Sequence, residues 1–287
     1  MKKIFGLLMI LMVGSITQAS DNRSAPNVFS SGSTISSSQM NENFNFLASN
    51  YREKTIDCDA GETIASAIDA GYNFLTIFGT CDGAFMVYMM DPTPFGINFT
   101  DLPNKSINHL IIKGGSENRD AKIVNTSGGM HSMVTTKGFL QLYNLTLNDR
   151  LNVSDGSVLF IDNINFEVTN TQDKELSAYG NSYLSIQNST ITGEVQVSTA
   201  SVANIEKTIF NKVDSEDSVL SLDRNSHGEL EESTVNGRIS IYDGSNLEED
   251  DSIINCDNTD HSCVNVSNSL LDLSGTSVNC SNINVCI

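Results

Sequence analysis

Tryptophan is absent from this sequence, and lysine plus arginine number only 16 against 35 acidic residues, a formal net charge of -19. The shortage of positive charge excludes two partner classes at once, because such a field repels nucleic acid and anionic lipid. It remains compatible with neutral glycans, cations and basic proteins. A second long apolar run is also missing. The one near the N-terminus, Ile4 to Val13, is well short of the roughly 20 residues a bilayer span needs, so no membrane span is expected. CxxC pairs and paired histidines are missing too, which disfavours a thiolate metal centre. The lack of tryptophan does not forbid a core, since 39% of the residues are hydrophobic.

What is present begins with an export signal. Lys2 and Lys3 precede the apolar run, and Thr17-Gln18-Ala19 offers small residues for cleavage. Residues 1–19 read as a signal peptide, residues 20–53 as a polar linker with a short helix, and residues 54–287 as the main domain. Without Lys2 and Lys3 the charge balance becomes 14 to 35. The expected location is secreted or periplasmic. Six cysteines in an exported chain read as disulfides. Fifteen pairings are possible, and local spacing favours Cys58–Cys81, Cys256–Cys263 and Cys280–Cys286.

Met40, Phe44, Leu47 and Tyr51 fall at heptad steps behind the candidate caps Ser36 to Ser38. Phe29, Gly32, Ile35, Met40, Asn41, Asn43, Phe44 and Leu47 together resemble an element that precedes fibre-like or β-rich domains in exported and phage tail proteins. That resemblance implies a small coiled coil and a homo-oligomer through residues 36–51. Packing of this helix on its own domain is the other reading.

An internal repeat decides the fold class. Apolar pairs five residues apart recur as Leu142/Leu147, Ile161/Phe166, Ile186/Ile191, Ile205/Phe210, Leu230/Val235 and Leu273/Val278, with Glu249/Ile254 as one departure. Their second members are spaced 19, 25, 19, 25, 19 and 24 apart, so a short and a long rung alternate with a 44-residue period. Leu151-x-Val153, Val195-x-Val197, Ile239-x-Ile241 and Ile283-x-Val285 keep the same period, as do the turns Asp155-Gly-Ser, Thr199-Ala-Ser and Asp243-Gly-Ser. Rungs of about 22 residues made of short strands and Asn/Asp/Gly/Ser turns specify an all-β parallel β-helix, expected to be right-handed and to carry an N-terminal helix as cap. A β-sandwich would not keep a strict two-rung period. Residues 84–138 are less regular and read as early rungs with a lateral loop at about 84–106.

Residues 55–81 read as strand, short helix, strand, with Ile64, Ala67 and Ile68 on the apolar face and Gly71 ending the helix. This segment resembles the start of pectin-lyase-like β-helices, where such a helix covers the first rung. The resemblance raises the expectation of a polysaccharide lyase or glycoside hydrolase. The residues do not follow it. Asn258-Thr-Asp260 matches one polygalacturonase element but has none of the later elements behind it, while Asp250-Asp251 and His227-Gly228 stand upstream in the wrong order. His109, His131 and His261 lack metal-ligand spacing.

One carboxylate stripe remains. Rung alignment places Glu206, Glu231 and Asp250 at one position, with Glu232 and Asp251 at the next. Stacked like charges must splay into water or take a cation, so these five residues are the candidate metal ligands and Ca²⁺ the candidate ion. Lys207, Arg224 and Arg238 are the few bases near them, the two arginines being placed on turns. The outward positions read as nearly free of aromatics, which argues against a sugar-stacking platform. The expectation is an exported binding protein for a glycan or a cell-surface protein, with a carboxylate-using lyase or hydrolase as the alternative.

Overall fold

A computed structural model describes residues 52–82, 85–88, 109–115, 121–124, 133–136, 138–148, 150–167, 176–213, 218–256 and 263–280. The signal peptide, the 36–51 helix, Asn258-Thr-Asp260, His131, His261, Ile283-x-Val285 and Cys286 lie outside these residues. The compact unit to which they belong spans residues 52–287.

The chain coils as a parallel β-helix. Strands β1 (Glu53–Asp57), β2 (Phe74–Phe78) and β5 (His109–Gly114) begin a first sheet of ten parallel strands, continued by every third strand up to β26 (Leu270–Ser274). A second sheet of nine runs from β3 (Thr80–Asp82) to β27 (Ser277–Cys280), and a third of eight from β4 (Phe85–Tyr88) to β25 (Val264–Ser267). Each rung therefore contributes one strand to each of three walls. Strand β4 lies inside the span expected to be a lateral loop, so residues 85–88 belong to the third sheet instead.

Register confirms the repeat residue by residue. On the second sheet Phe166 pairs with Ile191, Ile191 with Phe210, Phe210 with Val235, and Val235 with Ile254. All five are buried, as are Ile161 and Ile186 on the first sheet. On the third, Leu151, Leu176, Val195, Leu220, Ile239 and Val264 form one continuous column. From Phe139 onward the extra residues of the long rungs fall at one corner, between second-sheet and third-sheet strands. There, residues 168–175, 212–217 and 257–263 stand where short rungs need only Gly193-Glu194 or Gly237. Alternate rungs thus differ at this edge, and the walls keep their register apart from a shift between Ser218 and Leu220 on the third sheet.

The other two corners are built from a left-handed residue and a hydroxyl. After the six first-sheet strands between residues 139 and 250 come Asn144, Asn163, Asn188, Lys207, Glu232 and Asp251 in turn, all at φ between 48° and 54°. Asparagine and aspartate tolerate this conformation, whereas lysine and glutamate adopt it at a steric cost. The next residue from Asn188 onward is a buried Ser189, Thr208, Ser233 or Ser252. Its hydroxyl donates to the carbonyl two residues back, as Ser233 Oγ does to Glu231 O at 2.9 Å. It also accepts the backbone N–H of the rung before, as from Thr208 N at 3.0 Å. Ser157, Ser201 and Ser245, the last residues of the three repeated turns, do the same at the opposite corner by accepting from Gly138, Ser182 and Ser226. A buried corner N–H has no ladder partner, and the hydroxyl column supplies one.

Helix α1 (Ile64–Asp69) packs beside β1, the first strand of the stack, and buries Ile64, Ala67 and Ile68. Thr63 caps it by accepting from Ser66 N, and Gly71 at φ 84° ends it. The Cys58–Cys81 disulfide ties the turn after β1 to β3. Cys263 is also disulfide-bonded. Cys256 and Cys280 are register partners on adjacent strands, their side chains, like Cys286, being outside the described set.

The departure in the repeat is real. Glu249 takes the inward position between Leu230 and Leu273. It is 2% exposed, and neither carboxylate oxygen has a hydrogen-bond partner among the described residues. Desolvation pushes its pKa up to about 7. A raised folded-state value means that this group favours folding fully below the ordinary carboxylate range and loses that contribution as pH rises through about 7.

Two measurements check this packing. Phe210→Ala removes a fully buried ring and is expected to cost about 3–5 kcal/mol in denaturant unfolding. Wild type is expected to lose roughly 3 kcal/mol more than Glu249→Leu between pH 4 and pH 8. Parallel pH slopes for the two proteins would show that Glu249 is not buried in solution.

Candidate functional site

The outward face of the first sheet carries the chemistry, and strand alternation dictates which residues reach it. In the five-residue strands of this sheet from Phe139 onward the second and fourth side chains point into the core, so the first, third and fifth point out. Three parallel columns result. From β8 (Phe139–Tyr143) to β26, the first holds Phe139, Val158, Tyr183, Val202, His227, Asn246 and Leu270. The middle column holds Gln141, Phe160, Ser185, Asn204, Glu229, Glu248 and Asp272. The last holds Tyr143, Asp162, Gln187, Glu206, Glu231, Asp250 and Ser274.

The expectation of few outward aromatics is overturned here. His109 meets Phe139 edge-on at 4.7 Å between ring centroids, Phe139 meets Phe160 at 5.4 Å, and Phe160 meets Tyr183 at 5.9 Å. Val158 sits between Phe139 and Tyr183 in their own column, so Phe160 from the middle column fills the gap. The rings are half-buried. Burial drives the His109 pKa down to about 4 and keeps the imidazole neutral. Alternation could have revealed this row, because Phe139, Phe160 and Tyr183 each flank an inward leucine or isoleucine.

Tyr183 joins the aromatic rows to the polar ones. Burial raises its pKa, the nearby Glu229 charge adds to that, and a hydrogen bond with Asn204 opposes it. Beyond this point the face turns acidic, with Glu206, Glu229, Glu231, Glu248, Asp250 and Asp272 on four consecutive strands.

The stripe read from the sequence exists as a register. Glu206 pairs with Glu231, and Glu231 with Asp250. Glu232 and Asp251 do not continue a sheet column. They occupy the left-handed corner beside it, one and two rungs after Lys207. That lysine occupies the charge gap. Its Nζ contacts Glu206 Oε1 and lies 3.6 Å from Glu232 Oε2, while Gln187 Nε2 donates to Glu206 at 3.4 Å. The hydrogen bond to Glu206 raises the Lys207 pKa, with the charges of Glu206 and Glu232 adding to it against a desolvation cost. Lys207 therefore holds its proton as a fixed counter-charge.

Arg224 lies on a left-handed turn as expected, but Arg238 opens strand β22 (Arg238–Tyr242) in the third sheet. Neither pairs with these acids among the described residues. His227-Gly228 has a packing explanation: His227 points outward, while a Cβ on Gly228 would lie 2.8 Å from Leu222 Cδ2 and 3.0 Å from Leu247 Cδ1. The resemblance of this dipeptide to a hydrolase motif is thus accounted for by the core.

No family model, curated protein or solved structure matches the chain. Among the described residues, no helix is long and apolar enough to cross a membrane.

Lys207→Gln would leave the Glu206 and Glu232 charges uncompensated. The variant is expected to melt below wild type at low ionic strength and to match it in about 1 M salt, where screening acts over about 3 Å. A salt-independent difference would mean that Lys207 acts through packing of its stem.

Proposed function

We propose that this is an exported binding protein whose right-handed β-helix lays an extended neutral glycan along the outward face of the first sheet. The observation that carries the reading is the continuity of that face. A row of aromatic rings gives way at Tyr183 to rows of amides and carboxylates, all held at the fixed spacing of a parallel sheet. Aromatic edges and faces suit the apolar sides of sugar rings, and carboxylates and amides suit hydroxyl pairs. The net charge of -19 favours a neutral chain over a polyuronate. The export signal, the disulfide Cys58–Cys81 and the pectin-lyase-like start support the extracytoplasmic setting, and residues 29–47 suit a stem that brings several copies together. A cell-surface protein is the other ligand class such a face suits.

The lyase alternative is weaker in a specific way. Elimination at a uronate needs a base able to accept a proton near pH 7. Lys207, the cation beside the carboxylates, is held protonated by Glu206 and Glu232.

The test is a glycan array probed with residues 20–287, run beside a polyuronate degradation assay. Binding to neutral glycans is expected, with no depolymerisation. Tyr183→Ala should weaken binding roughly tenfold, which corresponds to about 1.4 kcal/mol. Turnover of a polyuronate, or glycan binding indifferent to Tyr183→Ala, would overturn the assignment.

A further inference from the structure

We infer that His227, Glu229 and Glu248 form a binding site for a divalent transition-metal ion, with Zn²⁺ the fitting probe. The site lies at the start of β20 (His227–Glu231) and in the middle of β23 (Asn246–Asp250), outside the acidic stripe read from the sequence. His227 and Glu229 are two apart on one strand and so share its outward face. Glu229 and Glu248 are register partners on adjacent strands.

The imidazole nitrogen and the two carboxylates bring their ligand atoms within 4.8 Å of one another. His227 Nε2 lies 3.6 Å from Glu229 Oε1. Ligands about 2.0–2.2 Å from a tetrahedral zinc stand about 3.3–3.5 Å apart, so small side-chain rotations close the set. Asn246, the register partner of His227, donates Nδ2 to Glu248 Oε1 at 3.2 Å and holds that carboxylate toward the cluster.

The neighbouring acids show how a cation relieves such charges on this face. There Lys207 stands between Glu206 and Glu232. No lysine or arginine pairs with Glu229 or Glu248 among the described residues. The group facing them is an imidazole, which is a poor counter-charge when neutral and a good metal ligand in the same state. One nitrogen and two carboxylates select zinc and its neighbours over calcium, which prefers an all-oxygen shell. Three protein ligands leave a fourth position open to water or to a ligand on the same face. The site does not depend on the glycan reading, and either can fail alone.

The experiment is calorimetric titration of residues 20–287 with ZnCl₂ at pH 7.5, with histidine NMR signals followed in parallel. One equivalent is expected to bind and to shift the His227 ring resonances. His227→Gln and Glu248→Gln should each weaken binding more than roughly tenfold, and Glu231→Gln, on the adjacent column, should leave it unchanged. Zinc binding that survives His227→Gln, zinc binding that leaves the His227 signals in place, or no binding at all would each overturn the proposal. A Ca²⁺ affinity equal to that for Zn²⁺ would also overturn it.

Discussion

Every feature of this molecule depends on one constraint: in a parallel stack, a residue sits directly on its counterpart in the next rung, roughly 4.8 Å away. Antiparallel sheets can place a partner of opposite character across the pair. Here each column must be compatible with repetition of itself. Apolar columns satisfy the demand by burial, as in the run from Leu147 through Phe166, Ile191 and Phe210 to Ile254. Amides satisfy it by being donor and acceptor at once. Asn236 donates to Asn211 at 2.9 Å, Asn255 to Asn236 at 2.8 Å and Asn279 to Asn255 at 3.0 Å. Hydroxyls share that double character, which is why serine recurs at buried corners that would otherwise strand a backbone N–H.

Carboxylates alone cannot stack on themselves without help, so the acidic face shows how the constraint is relieved. Glu206 and Glu232 are eased by Lys207, placed in the corner column at the cost of a left-handed lysine. Glu229 and Glu248 have an imidazole and an amide beside them instead. Glu249 follows a third course. It points inward, where burial favours the protonated acid. Three adjoining acids, Glu248, Glu249 and Asp250, therefore experience three different environments because alternation and register send them to different places.

The same constraint explains what was legible in the sequence. A column that must repeat itself leaves a period, and the inward positions at Ile161, Phe166, Ile186, Ile191, Phe210, Val235 and Ile254 follow from it directly. The carboxylate register of Glu206, Glu231 and Asp250 follows for the same reason. Side-chain reach does not leave a period. Nothing in the spacing shows that Lys207 turns back onto Glu206, or that Phe160 leans across Val158 to join rings from another column. The aromatic row was hidden for a further reason: Phe139, Phe160 and Tyr183 alternate with the apolar core residues, and a search for apolar pairs absorbs them into the core pattern. Arg238 was misplaced on a turn because a one-residue corner at Gly237 is too short to show as a break.

The short corners also decide where variation can enter without disturbing the walls. Between the first and second sheets, from Asn188 onward, one left-handed residue and one hydroxyl complete the turn, and an insertion there would displace the hydrogen-bond column. Between the second and third sheets the chain alternates between a one- or two-residue turn and a longer connection, yet Phe166, Ile191 and Phe210 stay in register across the change. Added length is tolerated at that edge because no buried hydroxyl column passes through it. The first-sheet face from Phe139 onward, by contrast, is bounded by two short corners that hold its spacing from rung to rung. A ligand read by several rungs at once requires that invariance, and so does a metal site assembled from two strands.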